Sequence, residues 1–215
     1  MLKTDLVDLR YDALQATPVS GSPFAHVVVP GFVPDETLRQ VVAALPAMSS
    51  GGSFPPASLR LQPIVRALVD ELEGPRLRAA IAAKFGLDLD GSPTMLTLRG
   101  RTREKDGRIH RDSIAKRVTV LLYLNPDGES WVRREGCLRL LRNGTDLEDF
   151  AVEVPPVNGT LLVFPNGATT WHGHRQYVGR RYAIQLNYMA DGPKARSEMR
   201  RHQLSAFMKR FASAA

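Results

Sequence analysis

The sequence predicts a mostly β fold with flanking helices, one unit built around an antiparallel sandwich or barrel. Three observations lead there. Between residues 94 and 190 the apolar positions fall in short runs, TMLTLRG, RVTVLLYLN, CLRLLR, FAVEV, GTLLVF and RYAIQLNYM. Asn-Gly, Pro-Asp-Gly, Pro-Pro and Gly-Arg steps divide them, the spacing of strands joined by turns. On either side of this stretch the apolar periodicity becomes helical. At 215 residues and 43% hydrophobic, the chain can bury a sizeable core without staples, and its one cysteine excludes a disulfide framework.

The elements follow in order. Residues 24–30, FAHVVVP, are short, β-branched and closed by proline, and read as a strand. In VPDETLRQVVAALPAM, Pro34 and the acidic pair after it mark a helix start; Leu38, Val41, Val42 and Leu45 form its apolar face, and Pro46 ends it. Residues 49–58 are a loop rich in Ser, Gly and Pro. Residues 62–85 carry Ile64, Leu68, Leu72, Leu77, Ala80, Ile81 and Phe85 at helical spacing, with a break at Gly74-Pro75. After the strands, GPKARSEMRRHQLSAFMKRF is a helix that sets Met199, Leu204, Phe207 and Met208 against the body, as a structural cap or as a partner-binding surface. The organisation is then an N-terminal support over 1–93 within the same compact unit, a β core over 94–190 and a basic C-terminal helix over 191–215.

Strand side chains alternate with period two, so two of the runs can be read by face. In RVTVLLYLN, Val118, Val120, Leu122 and Leu124 make a uniformly apolar face opposite Thr119, Leu121 and Tyr123. In RYAIQLNYM, bulky Tyr182, Ile184, Leu186 and Tyr188 oppose Arg181, Ala183, Gln185 and Asn187. That second stripe either lines an interior or faces solvent.

Twenty-nine Lys plus Arg against 22 Asp plus Glu give a net charge of +7. The excess gathers in RGRTREKDGRIHR, residues 99–111, and in the tail from 194 to 210. It fits a polyanionic partner, an anionic small substrate or a solvated basic surface, and no zinc finger or stacking-aromatic series accompanies it. Charges at Lys3, Asp5, Asp8 and Arg10 interrupt any signal peptide, and no window approaches the ~20 apolar residues of a membrane span. The expectation is a soluble cytoplasmic protein with no membrane partner and an oligomeric state left open. Asn143 and Asn158 begin Asn-x-Thr triplets, but each precedes glycine and reads first as a turn. Cys137, in GCLRLL, reads as a packed thiol rather than a nucleophile.

Of five histidines, His110 stands two residues from Asp112 in HRD. In an extended segment both side chains leave the same face and reach one metal, while Arg111 points away. Two imidazoles and a carboxylate occupy one face of an octahedral Fe(II) and leave positions open for a co-substrate and oxygen, whereas structural zinc fills all four of its positions. His-x-Asp alone equally suits a surface pair. FPNGATTWHGHRQYVGRR adds His172 and His174 between a turn and a strand, 62 residues beyond His110 for His172, far enough for intervening strands to close a small barrel. Arg181, first in the polar stripe, offers a planar fork for a carboxylate.

Residues 110–125, HRDSIAKRVTVLLYLN, followed by GCLRLLR, VPPVNGTLLVFPN, WHGH and GRRYAIQLNY, resemble the prolyl-4-hydroxylase-like branch of the 2-oxoglutarate and Fe(II)-dependent oxygenase superfamily. The resemblance covers residues 94–190 and, loosely, the N-terminal helices. It implies a double-stranded β-helix, or jelly roll, with helices buttressing one sheet. It implies His110, Asp112 and His172 as the Fe(II) ligands and Arg181 as the clamp on the far carboxylate of 2-oxoglutarate. Tyr123 and Thr119 would add hydroxyls to that carboxylate. His174, with the parity of His172, becomes a hydrogen-bond donor behind the ligands or a substrate contact, and Arg180 the variable neighbour of the clamp. The sequence departs from the family at Glu135-Gly136, where paired glycines are usual.

The implied activity is hydroxylation of a protein residue or small molecule with O2 as co-substrate, yielding succinate and CO2, with ascorbate as an accessory reductant. Two other readings stand beside it: oxidative demethylation of alkylated nucleic acid, which the +7 charge suits but the segments match less well, and a jelly-roll protein that binds metal or sugar without turnover. Arg181 on the polar stripe argues against the last.

Overall fold

Two strand faces, Val118-Val120-Leu122-Leu124 and Tyr182-Ile184-Leu186-Tyr188, need the same apolar cover, and the helices supply it. In the computed structural model, which describes residues 7–127, 131 and 133–212, these side chains join one buried cluster with the helices α1 (Tyr11–Ala16), α2 (Asp35–Ala43), α3 (Pro63–Glu73) and α4 (Pro75–Phe85). α3 and α4 present Val65, Leu68, Leu72, Leu77 and Ile81, all essentially inaccessible. Pro63 and Pro75 each open a helix, where the missing N–H costs nothing, and Gly74-Pro75 is the break between the two.

The strands are β1 (Val27–Val29), β2 (Thr94–Thr102), β3 (Lys116–Tyr123), β4 (Leu138–Leu141), β5 (Phe150–Val154), β6 (Leu161–Pro165), β7 (His172–Gly173) and β8 (Gly179–Met189). They form a five-stranded sheet in the order β1-β6-β3-β8-β2 and a three-stranded sheet in the order β5-β4-β7, with every named pairing antiparallel. The sheets face one another. Leu121, Tyr123, Leu162 and Phe164 of the larger meet Leu138, Leu140 and Val154 of the smaller in a second apolar cluster. The result is the jelly-roll arrangement, mostly β with helices on one face. Its sheets stay open, the sandwich and not the barrel of the two arrangements the strand pattern allows.

The polar stripe Arg181, Ala183, Gln185 and Asn187 lies between the layers, buried throughout, and not in solvent. β3 and β2 flank β8, so Tyr123 and Arg99 both lie opposite Ala183. Asn158 and Gly159 adopt left-handed backbone (φ 51° and 64°), and the Asn158-Gly159 turn delivers the chain into β6.

Several boundaries differ from expectation. The first strand shrinks to Val27–Val29, with His26 only bridging to Ser20. α2 stops at Ala43, before Pro46, since residues ahead of a proline disfavour helical backbone. The C-terminal helix α5 (Pro193–Ala212) sets Met199 against Met95, Ala115, Met189 and Ala195, but Leu204 faces solvent at 59% exposure. Five residues turn a helix by about 140°, so both cannot meet one surface. The side chains of Phe207 and Met208 lie outside those described. Among the described residues, no helix is long and apolar enough to cross a membrane.

Candidate active site

The segment after β2 returns as a strand-like edge beside β7. His110 and His172 exchange both backbone hydrogen bonds, each N–H to the other's carbonyl at 3.0 Å. The close fit needs glycine at 107: its φ is +94°, and a Cβ there would stand 2.6 Å from the His174 ring and carbonyl.

This pairing brings the imidazoles together, ring centroids 4.4 Å apart. Each Nδ1–H donates to a backbone carbonyl, His110 to Arg108 at 2.8 Å and His172 to Thr170 at 2.9 Å. Nε2 of each ring is thereby left with its lone pair, the form a metal ligand needs. Asp112 supplies the third donor, and the ligand atoms of His110, Asp112 and His172 all lie within 4.8 Å of one another. Burial, with His110 close by, pushes the His172 imidazole down to about 4, so it is neutral and available at physiological pH.

Burial works to raise the Asp112 carboxyl, but two donors overcome it and hold the group below the usual aspartate range. Lys116 Nζ lies 2.6 Å from Oδ1 and the Thr119 hydroxyl donates to Oδ2 at 2.6 Å. Thr119 in turn accepts from Asn166 Nδ2 at 3.0 Å. In this structure, therefore, Thr119 orients the metal-facing carboxylate; the sequence reading gave it a contact to the co-substrate.

A cavity of about 510 Å3 joins these donors to Arg181 and Tyr123. Arg181 is 7% exposed; its Nε donates to the Gly136 carbonyl at 2.8 Å, and its guanidinium carbon is 5.2 Å from the Tyr123 ring centre. Among the described residues, no hydrogen-bond partner is found for its terminal nitrogens. The Tyr123 hydroxyl is buried with no well-formed hydrogen bond, and burial raises its phenol against the pull of the neighbouring Arg181, so it stays a protonated donor. A buried, poorly satisfied hydroxyl beside a guanidinium that bonds the protein chiefly through Nε is costly alone and is what a carboxylate satisfies. The fit to 2-oxoglutarate rests on these two groups, and the fit to Fe(II) on the two-nitrogen, one-oxygen donor set. Gly136, left-handed at φ 73°, keeps its carbonyl under Arg181 despite Glu135 replacing the first glycine of the family's pair.

His174 lines the cavity outside the donor triad. Its N–H donates to the Gly107 carbonyl and its Nδ1 to Arg175 O at 2.8 Å, while burial and the Arg181 charge push it down to about 4. Arg180 points the other way, exposed, 5.9 Å from the Tyr182 ring centre. Sequence reasoning missed Lys116 as the partner of Asp112, which depends on the turn from Ser113 to Lys116. It also passed over Arg99 individually, though β2 parity places Met95, Thr97 and Arg99 on one face and could have found it.

Residues 100–189 match the model of the 2OG-Fe(II) oxygenase superfamily. No curated protein matches the sequence. Among solved structures, a prolyl-4-hydroxylase from Pseudomonas putida is similar at 20% identity, covering 85% of this chain and 97% of that one with a TM-score of 0.52. A prolyl 4-hydroxylase from Phytophthora capsici is similar at 15% identity, 85% and 66% coverage and a TM-score of 0.56. An oxidoreductase of the 2OG-Fe(II) oxygenase family from Burkholderia pseudomallei follows at 15% identity, 79% and 87% coverage and 0.52. At these identities the likeness is one of fold.

Proposed function

We infer, from a chain that belongs to the 2-oxoglutarate and Fe(II)-dependent oxygenase superfamily across residues 100–189, that His110, Asp112 and His172 hold the iron and that Arg181 with Tyr123 holds 2-oxoglutarate. The reaction is hydroxylation of a C–H bond on a protein residue or small molecule. The observation that carries this reading is the sharing of one cavity by the donor triad and the clamp.

When bound, iron and 2-oxoglutarate supply the oxidising chemistry, with O2 consumed and succinate and CO2 released. The chain supplies geometry. Thr170 and Arg108 carbonyls fix both imidazoles with Nε2 forward, and Thr119 and Lys116 orient the Asp112 carboxylate. Arg181 would offer its terminal N–H groups, and Tyr123 its O–H, to a carboxylate of 2-oxoglutarate, in a setting where an unpaired carboxylate would be strongly disfavoured. Apolar Leu121, Leu138 and Ala183 wall the space between and limit water. A cytoplasmic location and ascorbate as reductant belong to the same proposal; the single buried thiol of Cys137 asks for no oxidising compartment.

Anaerobic addition of Fe(II) and 2-oxoglutarate should produce a visible metal-to-ligand charge-transfer band. His172→Ala should abolish it and His174→Ala should keep it, while Arg181→Ala should weaken 2-oxoglutarate binding about tenfold or more. A wild-type protein without the band contradicts the reading, and a band lost only in His174→Ala reverses the ligand assignment.

A further inference from the structure

Seven cationic side chains line the cavity against two carboxylates. Both carboxylates are taken, Asp112 by Lys116 and Asp106 by the backbone N–H and guanidinium of Arg103. Arg111 is committed to the Ala168 carbonyl and to the face of Trp171, and Arg181 is the clamp. That leaves Arg99, Arg101, Lys105 and Arg108 with no hydrogen-bonding or ion-pair partner among the described residues. Arg99 is set apart by position. It projects from β2 on the face that continues the Arg181 stripe, opposite Ala183. It also borders a second chamber of about 450 Å3, which shares Ser113, Lys116 and Gln185 with the first and is walled by Glu198 and Arg201 of α5. The α5 wall is tied down by the Ser113 hydroxyl donating to Glu198 Oε1 at 2.5 Å. Arg99 is open to solvent at the mouth, on the same wall as the like charge of Arg181, and its own charge meets no carboxylate partner among the described residues. Such an arrangement is relieved by an anion.

We propose that the substrate is a small molecule bearing a carboxylate or phosphate group, and that Arg99, at the junction of the two chambers, holds that group. The proposal rests on the oxygenase reading, in which metal and Arg181 account for both carboxylates of 2-oxoglutarate and leave Arg99 for a different anion. The chamber volumes suit small ligands, and the cationic turn 101–108 draws anions to the mouth.

The test is calorimetric titration under anaerobic conditions of protein loaded with Fe(II) and 2-oxoglutarate, once the charge-transfer band has confirmed loading. The probes are phenyl phosphate and N-acetylaspartate, with benzyl alcohol and N-acetylasparagine as neutral counterparts and a short single-stranded oligonucleotide as the polyanion. At least one small anion should bind, its neutral counterpart should not, and Arg99→Gln should weaken that anion about tenfold while Arg99→Lys retains most of the affinity and both variants keep the band. Which anion binds distinguishes carboxylate from phosphate. Overturning results are a loaded protein that binds neither small anion, an affinity unchanged in Arg99→Gln, or binding confined to the oligonucleotide. Failure of the band itself strikes the oxygenase reading instead.

Discussion

Lys116 and Asp112 are a nearly dry ion pair, with side chains 14% and 6% exposed and Nζ 2.6 Å from Oδ1. Lys116→Met keeps the aliphatic stem and removes the charge, leaving Asp112 with the Thr119 hydroxyl as its remaining donor. Removing one partner of a buried pair costs about 3–5 kcal/mol because the other charge is stranded. The Thr119 bond and the open cavity place this case at the lower end, about 3 kcal/mol. For a domain of this size that corresponds to a fall in Tm of about 6–12 °C, at 2–4 °C per kcal/mol. A divalent metal on Asp112 supplies the missing counter-charge, so the metal-loaded variant should lose only about 1 kcal/mol. By linkage the difference, about 2 kcal/mol, appears as roughly 30-fold tighter metal binding in Lys116→Met. Scanning calorimetry of metal-free and Co(II)-loaded protein, with Co(II) affinity measured by its visible absorption, tests both halves. Equal losses of Tm with and without metal, or weaker metal binding in the variant, would refute the idea that Lys116 serves as the counter-charge of Asp112 in metal-free protein.

Further outcomes can be measured independently. Arg139 is 1% exposed and pairs with Glu153 at 2.7 Å and Glu148 at 2.6 Å, so Arg139→Met, which leaves the largely buried Glu153 only the exposed Arg134 guanidinium at 3.5 Å, should cost about 3 kcal/mol in denaturant unfolding. Burial and nearby Glu153 push the Cys137 thiol up to about 11; the native protein should resist thiol-specific labelling at pH 8–9 and label fully in denaturant, and fast native labelling contradicts the packing. Gly107→Ala forces a Cβ against His174 at positive φ; it should displace the 107–110 edge and weaken metal binding at least tenfold while Tm falls only modestly, by the equivalent of about 1–3 kcal/mol.

Period-two alternation made the β8 stripe and the apolar face of β3 legible, since neither depends on anything but strand geometry. Arg139 was not legible for the same reason. Its parity, opposite Leu138 and Leu140, sends it to the outer face of the small sheet, which reads as solvent. It is buried because the chain from 147 to 153 folds over that face, bringing the Leu147 carbonyl, Glu148, Glu153 and the Phe150 ring onto the guanidinium. Leu204 failed differently: its helix carries apolar residues without a single stripe, and composition alone could not say which of them would be wet.

The pair His172 and His174 shows where alternation runs out. Parity treats them as equals only if the chain stays extended through both, but β7 ends at Gly173. What separates them is a long-range pairing: His172 takes its register from His110, whose imidazole it meets beside Asp112, whereas His174 takes its register from Gly107. Three residues of offset along one edge carry the second imidazole toward Arg181, where its neutral form, favoured by that charge, adds no further cation to an already basic wall. The same edge thus sets which histidine can join Asp112 and which only lines the cavity. It depends on Gly107, whose missing side chain permits the contact.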